Sequence, residues 1–312
     1  MSDWALAVDV GGTKLAAARV RSDGSVQVRA QRPTPADGDA EEIWSGLLSV
    51  VEDVTGGEEP DLIGVGCGGP MHWPDGLVSP LNIPAWRDFP LRQRLGDRHP
   101  NAVVRVHNDA VAMAAGEHWR GAGQGSNNFL GMVVSTGVGG GLILEGHIVN
   151  GRSGNAGHVG HVVVDADGPP CACGGVGCLE AIARGPALVA WAREQGWQPP
   201  SVDSSGAALA DSARDGDPIA LAAFLRAGRA LGVAVASTAS LLDLDAVALG
   251  GGLSGAGDVL LGPMRAAFDH HAGLDFARSC RITAAELGRD AGLVGAAAFV
   301  LAADRYWPAG AD

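Results

Sequence analysis

Two lobes of mixed α/β structure are what this sequence predicts, on three observations. Apolar strand-like runs alternate with helical ones along the chain. A strand, a glycine-rich turn and a second strand occur near the start and recur in the second half. The length, 312 residues, exceeds what one hydrophobic core usually serves. No linker or charge run separates the halves, so a hinge inside one molecule is expected rather than two tethered domains.

Trp4 to Val10 is a short apolar run interrupted only by Asp9, Leu15 to Val20 resumes after Gly-Gly-Thr-Lys, and Gln27 to Ala30 offers a third strand. Short runs joined by tight turns read as an antiparallel meander. From Asp39 to Val54 the period changes: Ile43, Leu47, Leu48 and Val51 recur at helical spacing behind an acidic start. Leu62 to Cys67 is a buried strand ending in glycines, Val103 to Val106 is another, and Asn108 is placed to cap a helix running through Trp119. Phe129 to Ser135 opens the second set, followed by TGVGGG, Leu142 to Leu144 and Ile148 to Val149. Beyond Glu180 the chain is mainly helical. Its clearest helix is Pro218 to Thr238, with Asp217 as cap and proline in the first helical position. Ala246 to Leu249 is a strand before Gly250-Gly251-Gly252, and a last helix follows Asp290.

Composition bounds the function. With 46% hydrophobic and 18% charged residues the chain is not disordered, and no apolar run approaches the roughly 20 residues of a membrane span. The start, MSDWALAVDVGGTK, lacks the basic and apolar regions of a secretion signal, so a cytoplasmic location is expected. A net charge of −13 argues against nucleic acid or an anionic membrane as partner. An anionic ligand would need a local site of backbone amides or metal. Five cysteines, with Cys67 and Cys280 isolated and the others clustered, do not form a disulfide framework.

The segments DVGGTK (9–14), STGVGGG (135–141) and GGGLSGAG (250–257) each follow a strand. Each reads either as a tight hairpin turn or as a nest of backbone N–H groups round an anion. None has the spacing of a P-loop or a dinucleotide fingerprint. Together they favour a split nucleotide site, with Asp9 beside a Mg²⁺-bound phosphate and the hydroxyls of Thr13 and Thr136 on phosphate oxygens. In the segment 154–181, His161, Cys171, Cys173 and Cys178 supply the Cys₃His set that suits tetrahedral Zn²⁺. A disulfide or a redox centre competes, although Cys-x-Cys is a poor pair for an unstrained disulfide. Asn108 and Asp109 read alone as a helix cap. A carboxylate there is equally what a hydroxyl needs as proton acceptor when it attacks a phosphate.

The order DVGGTK, HNDA (107–110), STGVGGG, GNAGHVGH, CACGGVGCLE (171–180) and GGGLS resembles the sugar kinases of the ROK family over nearly the whole chain. The CxCGxxGCxE element with a histidine about ten residues upstream is the most specific part. The resemblance implies a duplicated ribonuclease-H-like, actin-like fold with ATP and sugar in an interlobe cleft, often as a homodimer or homotetramer. The small lobe is expected over residues 1–108, with a C-terminal helix at about 296–312 returning to it, and the large lobe over 109–295 with the zinc segment 158–180.

By the same resemblance Asp109 is the catalytic base, and Gly68, Gly69, Asn82, Asn108, His158, His161 and Glu180 contact the sugar. Asp9, Gly11, Gly12, Thr13, Lys14, Thr136, Gly137, Gly251 and Gly252 attend the nucleotide, with Mg²⁺ catalytic and Zn²⁺ structural. His161 would bind zinc through one ring nitrogen and touch the sugar with the other. Trp86, in VSPLNIPAW, is either a platform under the sugar ring or packing.

His158 departs from the pattern, because the family usually has glutamate there. A neutral imidazole accepts one hydrogen bond and donates one, whereas a carboxylate only accepts. The ring faces the sugar and alters preference at carbons one or two, or it simply replaces glutamate with weaker glucose binding, or it is an extra zinc ligand. The expected activity is ATP-dependent phosphorylation of the 6-hydroxyl of glucose or a close relative. N-acetylglucosamine, N-acetylmannosamine, and cyclitol or amino-sugar substrates are the alternatives. A DNA-binding repressor would carry a helix-turn-helix ahead of DVGGTK, which begins at residue 9. Retention of Asp9, Asp109 and the glycine turns argues against a non-catalytic sensor.

Overall fold

The computed structural model describes residues 3–200, 202–308 and 310. Residues 309, 311 and 312 of the expected C-terminal helix lie outside them. The chain divides into two units. One holds Met1–Gly125, Gly141–Gly157 and Glu286–Asp312, and the other holds Ser126–Gly140 and His158–Ala285.

The first unit opens with the meander: β1 (Trp4–Val10), β2 (Lys14–Arg21) and β3 (Val26–Pro33) pair antiparallel in sequence order. β3 outruns the expected 27–30 because its register with β2 continues through the polar residues Gln31 and Arg32 at the edge of the sheet. Helix α1 (Ala40–Thr55) follows, started by a reciprocal cap. Asp39 accepts from the N–H groups of Glu41 and Glu42, and the Glu42 carboxylate accepts from Asp39 N–H. Such a cap contributes about 1 kcal/mol. The helix buries Ile43, Leu47, Val50, Val51 and Val54 in the core of this unit, each at roughly 1.5–3 kcal/mol.

β4 (Leu62–Cys67) joins β1 in parallel. The chain then makes a small antiparallel sheet from β5 (Met71–His72), β6 (Leu77–Val78) and β7 (Phe89–Pro90), and the helix α2 (Leu91–Arg98). Two-residue strands carry no period, so the sequence does not announce them. Trp86 lies in this region fully buried, stacked on Phe89 with centroids 4.1 Å apart, its Nε1–H donating to the Ala40 carbonyl at 3.2 Å. It is packing, not a ring platform. β8 (Val103–Asn108) pairs parallel to β4, giving the order β3-β2-β1-β4-β8, and α3 (Asp109–Arg120) starts where β8 ends.

A second five-stranded sheet repeats the plan. β9 (Phe129–Val134), β10 (Val138–Leu144), β11 (His147–Ile148), β12 (Ala246–Gly250) and β13 (Arg281–Ala284) lie in the order β11-β10-β9-β12-β13. β12 is parallel to β9 and to β13. β10 starts earlier than the run 142–144, since Gly139, Gly140 and Gly141 are already in the strand. The helices of the second unit are α4 (Leu179–Ala183), α5 (Gly185–Glu194), α6 (Gly206–Arg214), α7 (Pro218–Leu242), α8 (Asp258–His271) and α9 (Asp275–Arg278). Asp217 caps α7 through the N–H groups of Ile219 and Ala220. With 25 residues, α7 has the length and hydropathy of a membrane span. Reading uninterrupted runs passes over this, because Arg226 and Arg229 interrupt it. Its most apolar window is 61% buried inside the protein, and α8 packs along it.

The chain then returns to the first unit with α10 (Ala291–Leu301) and α11 (Ala303–Tyr306). α10 meets α3 backbone to backbone: a Cβ on Gly116 would overlap the Ala291 carbonyl, and one on Gly295 the Ala112 carbonyl. Glu117, fully buried on α3, accepts from the N–H groups of Ala122, Glu286 and Leu287 at 2.8–3.0 Å. A buried polar group is tolerated when hydrogen-bonded in this way, and here it fixes the start of the returning segment.

Candidate active site

In the first unit Val10, Cys67 and Asn108 lie in register at the carboxyl ends of the parallel strands β1, β4 and β8. This end of an open parallel sheet is where backbone donors and loop side chains converge on ligands. Asn108 accepts from Ala110 N–H through Oδ1 at 3.0 Å, so it does cap α3. Its Nδ2 is turned to Gly69, 3.3 Å from where a Cβ on that glycine would stand. Asp109, the first residue of α3, accepts from Ala110 N–H through Oδ1 at 2.8 Å, while Oδ2 faces Gly68. Burial, then the charge of Asp9, push the Asp109 carboxyl up to about 6, against the opposing pull of the Ala110 N–H. At neutral pH such a group is ionised yet more basic than an ordinary carboxylate, which suits a proton acceptor.

Asp9 pairs with Lys14 at 3.2 Å, and a Cβ on Gly292, in the first turn of α10, would stand 3.8 Å from Asp9 Cγ. Sequence reasoning missed Gly292, a glycine at a helix start with no motif round it. The first glycine turn is a tight hairpin, Gly11 N–H donating to the Lys14 carbonyl at 3.0 Å, with Thr13 exposed. Gly12 lies against Asn82 so closely that any Cβ would overlap its side chain. Thr34, also missed, braces the turn: its hydroxyl donates to the Gly11 carbonyl at 2.6 Å and its N–H to the Thr13 carbonyl at 3.1 Å.

In the second unit the other two glycine turns are neighbours, because β9 and β12 run parallel with Val133 opposite Gly250. Ser135 N–H donates to the Gly137 carbonyl at 2.8 Å, Thr136 is exposed, and Gly251 lies against the Val134 backbone. A Cβ on Gly252 would sit 3.4 Å from Ser135 Oγ. Glu180, in the first turn of α4, accepts from Val138 N–H through Oε2 at 2.9 Å, which ties it to the back of the β9–β10 turn.

His161, Cys171, Cys173 and Cys178 bring their ligand atoms within 4.8 Å of one another. A tetrahedron with metal–sulfur bonds of roughly 2.3 Å has sulfur–sulfur edges of roughly 3.8 Å. Cys173 Sγ to Cys178 Sγ is 3.7 Å, and Cys171 Sγ to His161 Nδ1 is 3.8 Å. The donor set and spacing fit Zn²⁺. All the cysteines are free thiols, so the disulfide reading is not realised. Gly175 N–H holds the Cys173 thiol below its usual range. The chain wraps tightly here because Gly177, at φ 69°, passes where a Cβ would overlap the Asp165 carbonyl. Residues 159–161 form a single 3₁₀ turn, in which positions three apart eclipse. His158 therefore faces His161, ring centroids 6.2 Å apart and 24° from parallel.

Each expected set is thus assembled inside its own unit. Asp9, the 11–14 turn, Gly68, Gly69, Asn82, Asn108 and Asp109 converge in the first. In the second, Gly251 and Gly252 lie by the Thr136–Gly137 turn, Glu180 reaches that turn, and His158 and His161 adjoin the cysteines.

Comparison with known proteins identifies the family. The sequence profile of the ROK family matches residues 5–303. Glucokinase of Thermotoga maritima is 34% identical over 310 residues, covering 95% of this chain and 96% of that protein. N-acetylmannosamine kinase of Pasteurella multocida is 33% identical over 296 residues, covering 95% of each. The crystal structure of a ROK family glucokinase from Streptomyces griseus in complex with glucose and AMPPNP matches with a TM-score of 0.83 at 35% identity, covering 95% of this chain and 99% of that one. The two sheets of one topology are the duplicated ribonuclease-H-like, actin-like α/β fold of these kinases. By its six motifs in order, its fold and the profile match across nearly its whole length, the chain belongs to the ROK family.

Proposed function

We propose that the chain is an ATP-dependent hexose kinase acting on the 6-hydroxyl of glucose or a close relative. The observation that carries this reading is Asp109, a carboxylate raised to about 6 at the carboxyl ends of parallel strands, beside the backbone of Gly68 and the amide of Asn108. The sugar hydroxyl gives its proton to Asp109 as its oxygen forms a bond to the γ-phosphorus. The bond from that phosphorus to the β–γ bridging oxygen breaks, and ADP leaves. Asn108, Asn82 and the backbone at Gly68 and Gly69 orient the sugar, and Glu180 offers it an oxygen.

Thr136, Gly137, Gly251 and Gly252 hold the nucleotide, and Asp9, Gly11, Gly12, Thr13 and Lys14 attend its phosphates. Asp9 is the hard oxygen ligand for Mg²⁺, which when bound neutralises charge on the phosphates. His161, Cys171, Cys173 and Cys178 hold Zn²⁺, which when bound fixes the loop. With Nδ1 turned to Cys171, His161 keeps Nε2 for the sugar. A cytoplasmic homodimer or homotetramer, without nucleic acid or membrane as partner, belongs to the same reading.

A second reading, an acetamido-sugar kinase, rests on His158. Its imidazole can donate to an acetyl carbonyl where a glutamate cannot, and the Pasteurella multocida relative is an N-acetylmannosamine kinase. A coupled ADP-release assay over glucose, mannose, N-acetylglucosamine, N-acetylmannosamine and a cyclitol decides between them, run also on His158→Glu. Glucose turnover that rises in the variant while acetamido-sugar turnover falls is expected. One unchanged substrate profile for both proteins removes His158 from specificity.

A further inference from the structure

His107 stands beside Asn108 and Asp109, and nothing in the chemistry above uses it. It is 1% exposed, within a box of rings drawn from separate segments. Trp73 and Phe299 lie at 5.8 and 5.7 Å between centroids, and Trp307 stands edge-on at 6.3 Å. A phenyl ring would fill this box equally well. What distinguishes the imidazole is that both its nitrogens are engaged. Asn108 N–H donates to Nδ1 at 2.7 Å, so Nδ1 carries no hydrogen. The hydrogen of the neutral ring is then on Nε2, which donates to Asn150 Oδ1, also at 2.7 Å.

Asn150 is the base of a loop. Its carbonyl accepts from Ala156 N–H at 3.1 Å, and within the loop Gly154 lies so close to Trp73 that a Cβ there would overlap the indole. Ala156 stands two residues before His158. One ring nitrogen thus holds the backbone where β8 becomes α3, and the other holds the loop that leads to the sugar-recognition histidine.

We infer that His107 is a positioning residue for phosphoryl transfer, its Nδ1 setting the placement of the Asn108–Asp109 pair and its Nε2–H linking that pair to the 150–156 loop. The inference rests on the reading of Asp109 as base. Loss of the Nδ1 bond misplaces the base and lowers kcat, whereas loss of the Nε2 bond frees the loop and raises the sugar KM.

Three variants separate the two bonds. His107→Asn places an amide oxygen near Nδ1 and keeps only the bond from Asn108. His107→Gln reaches the place of Nε2 and keeps only the link to Asn150. His107→Phe fills the box and keeps neither. Steady-state kinetics should show a sugar KM raised about tenfold with kcat within about threefold for His107→Asn. For His107→Gln kcat should fall about tenfold with little change in KM, and His107→Phe should show both losses. Asn150→Ala, outside the ring box, should reproduce the KM effect of His107→Asn, and the double variant should add nothing further.

Kinetic constants within twofold of the parent in all three His107 variants, with only the thermal midpoint altered, would leave His107 as packing and overturn the inference. If those variants do not fold, Asn150→Ala decides alone: a raised sugar KM supports the linkage, and an unchanged one overturns it. Asp109→Asn in the same assays isolates the underlying reading, because normal turnover there removes the base itself.

Discussion

In the sheets β3-β2-β1-β4-β8 and β11-β10-β9-β12-β13, β1 and β9 hold corresponding places, as do β4 and β12, and each pair ends in a glycine turn. At these strand ends and at that of β8 the first unit carries Asp9, Lys14 and Asp109, and the second carries Ser135, Thr136 and glycines, with the Glu180 carboxylate held on Val138 N–H. The duplicated backbone supplies open strand ends twice. Charge then divides the labour: a carboxylate raised by its surroundings can take a proton, whereas uncharged hydroxyls and amides suit an anion because they do not repel it. The means of bracing differ as well. The loop carrying Asn82 is anchored by the buried Ile83 and Trp86, whereas the loop carrying His161 is gathered round a cluster of one histidine and three cysteines.

Removing the charge at the first set of strand ends should have the largest effect. Asp109→Asn should lower kcat by about 10²–10⁴-fold. It should also raise stability at neutral pH. With a folded pKa of about 6 against the ordinary 3.8, the native state binds the extra proton between these values. Stability at this site therefore declines as pH rises through the window and stays lowered above it. The variant escapes a cost on the order of 3 kcal/mol, so its thermal midpoint should exceed the parent's at pH 8 and converge with it near pH 4. For the parent enzyme, kcat/KM should fall below about pH 6. A variant that is active, or no more stable at pH 8, breaks the contrast in charge.

Next in size is the metal cluster. Purified protein should contain about one zinc per chain, as a single four-ligand site requires. Chelation or Cys178→Ser should remove it and lower the thermal midpoint by several degrees. A metal-free preparation whose melting is indifferent to chelator would show that the loop needs no ion.

The smallest effects compare the glycine turns themselves. A Cβ on Gly12 overlaps the Asn82 side chain and approaches its backbone, so Gly12→Ala must move the loop and should raise the sugar KM about tenfold. Gly137→Ala meets Glu180 Oε2 at 2.9 Å, the end of a flexible side chain, and should cost about threefold or less. Equal effects in steady-state kinetics would mean that the two turns tolerate crowding alike.

Much of this was readable without coordinates where local chemistry is self-contained. The Cys₃His spacing, the Asp217–Pro218 helix start and the capped α1 are each written in a few adjacent residues. The role of Gly12 was only half readable: the turn shows in the sequence, but the partner that forbids a side chain is Asn82, seventy positions away. Thr34 and His107 were not readable as site residues, since their bonds depend on which strand ends the fold brings side by side. Trp86 stayed open between platform and packing for the same reason, because its neighbours Phe89 and Ala40 come from separate segments.

The return of α10 to α3 has a consequence for synthesis on the ribosome. The second unit leaves the exit tunnel before the segment that completes the first, because Glu117 must wait for Glu286 and Leu287, and Gly116 for Ala291. At roughly 5–20 residues per second that delay is on the order of ten seconds or more. During it the face of α3 that receives α10 stands uncovered, so a nascent chain stalled before residue 286 presents a finished second unit beside an unfinished first one. Asp9 gains its neighbour Gly292 only as α10 is made.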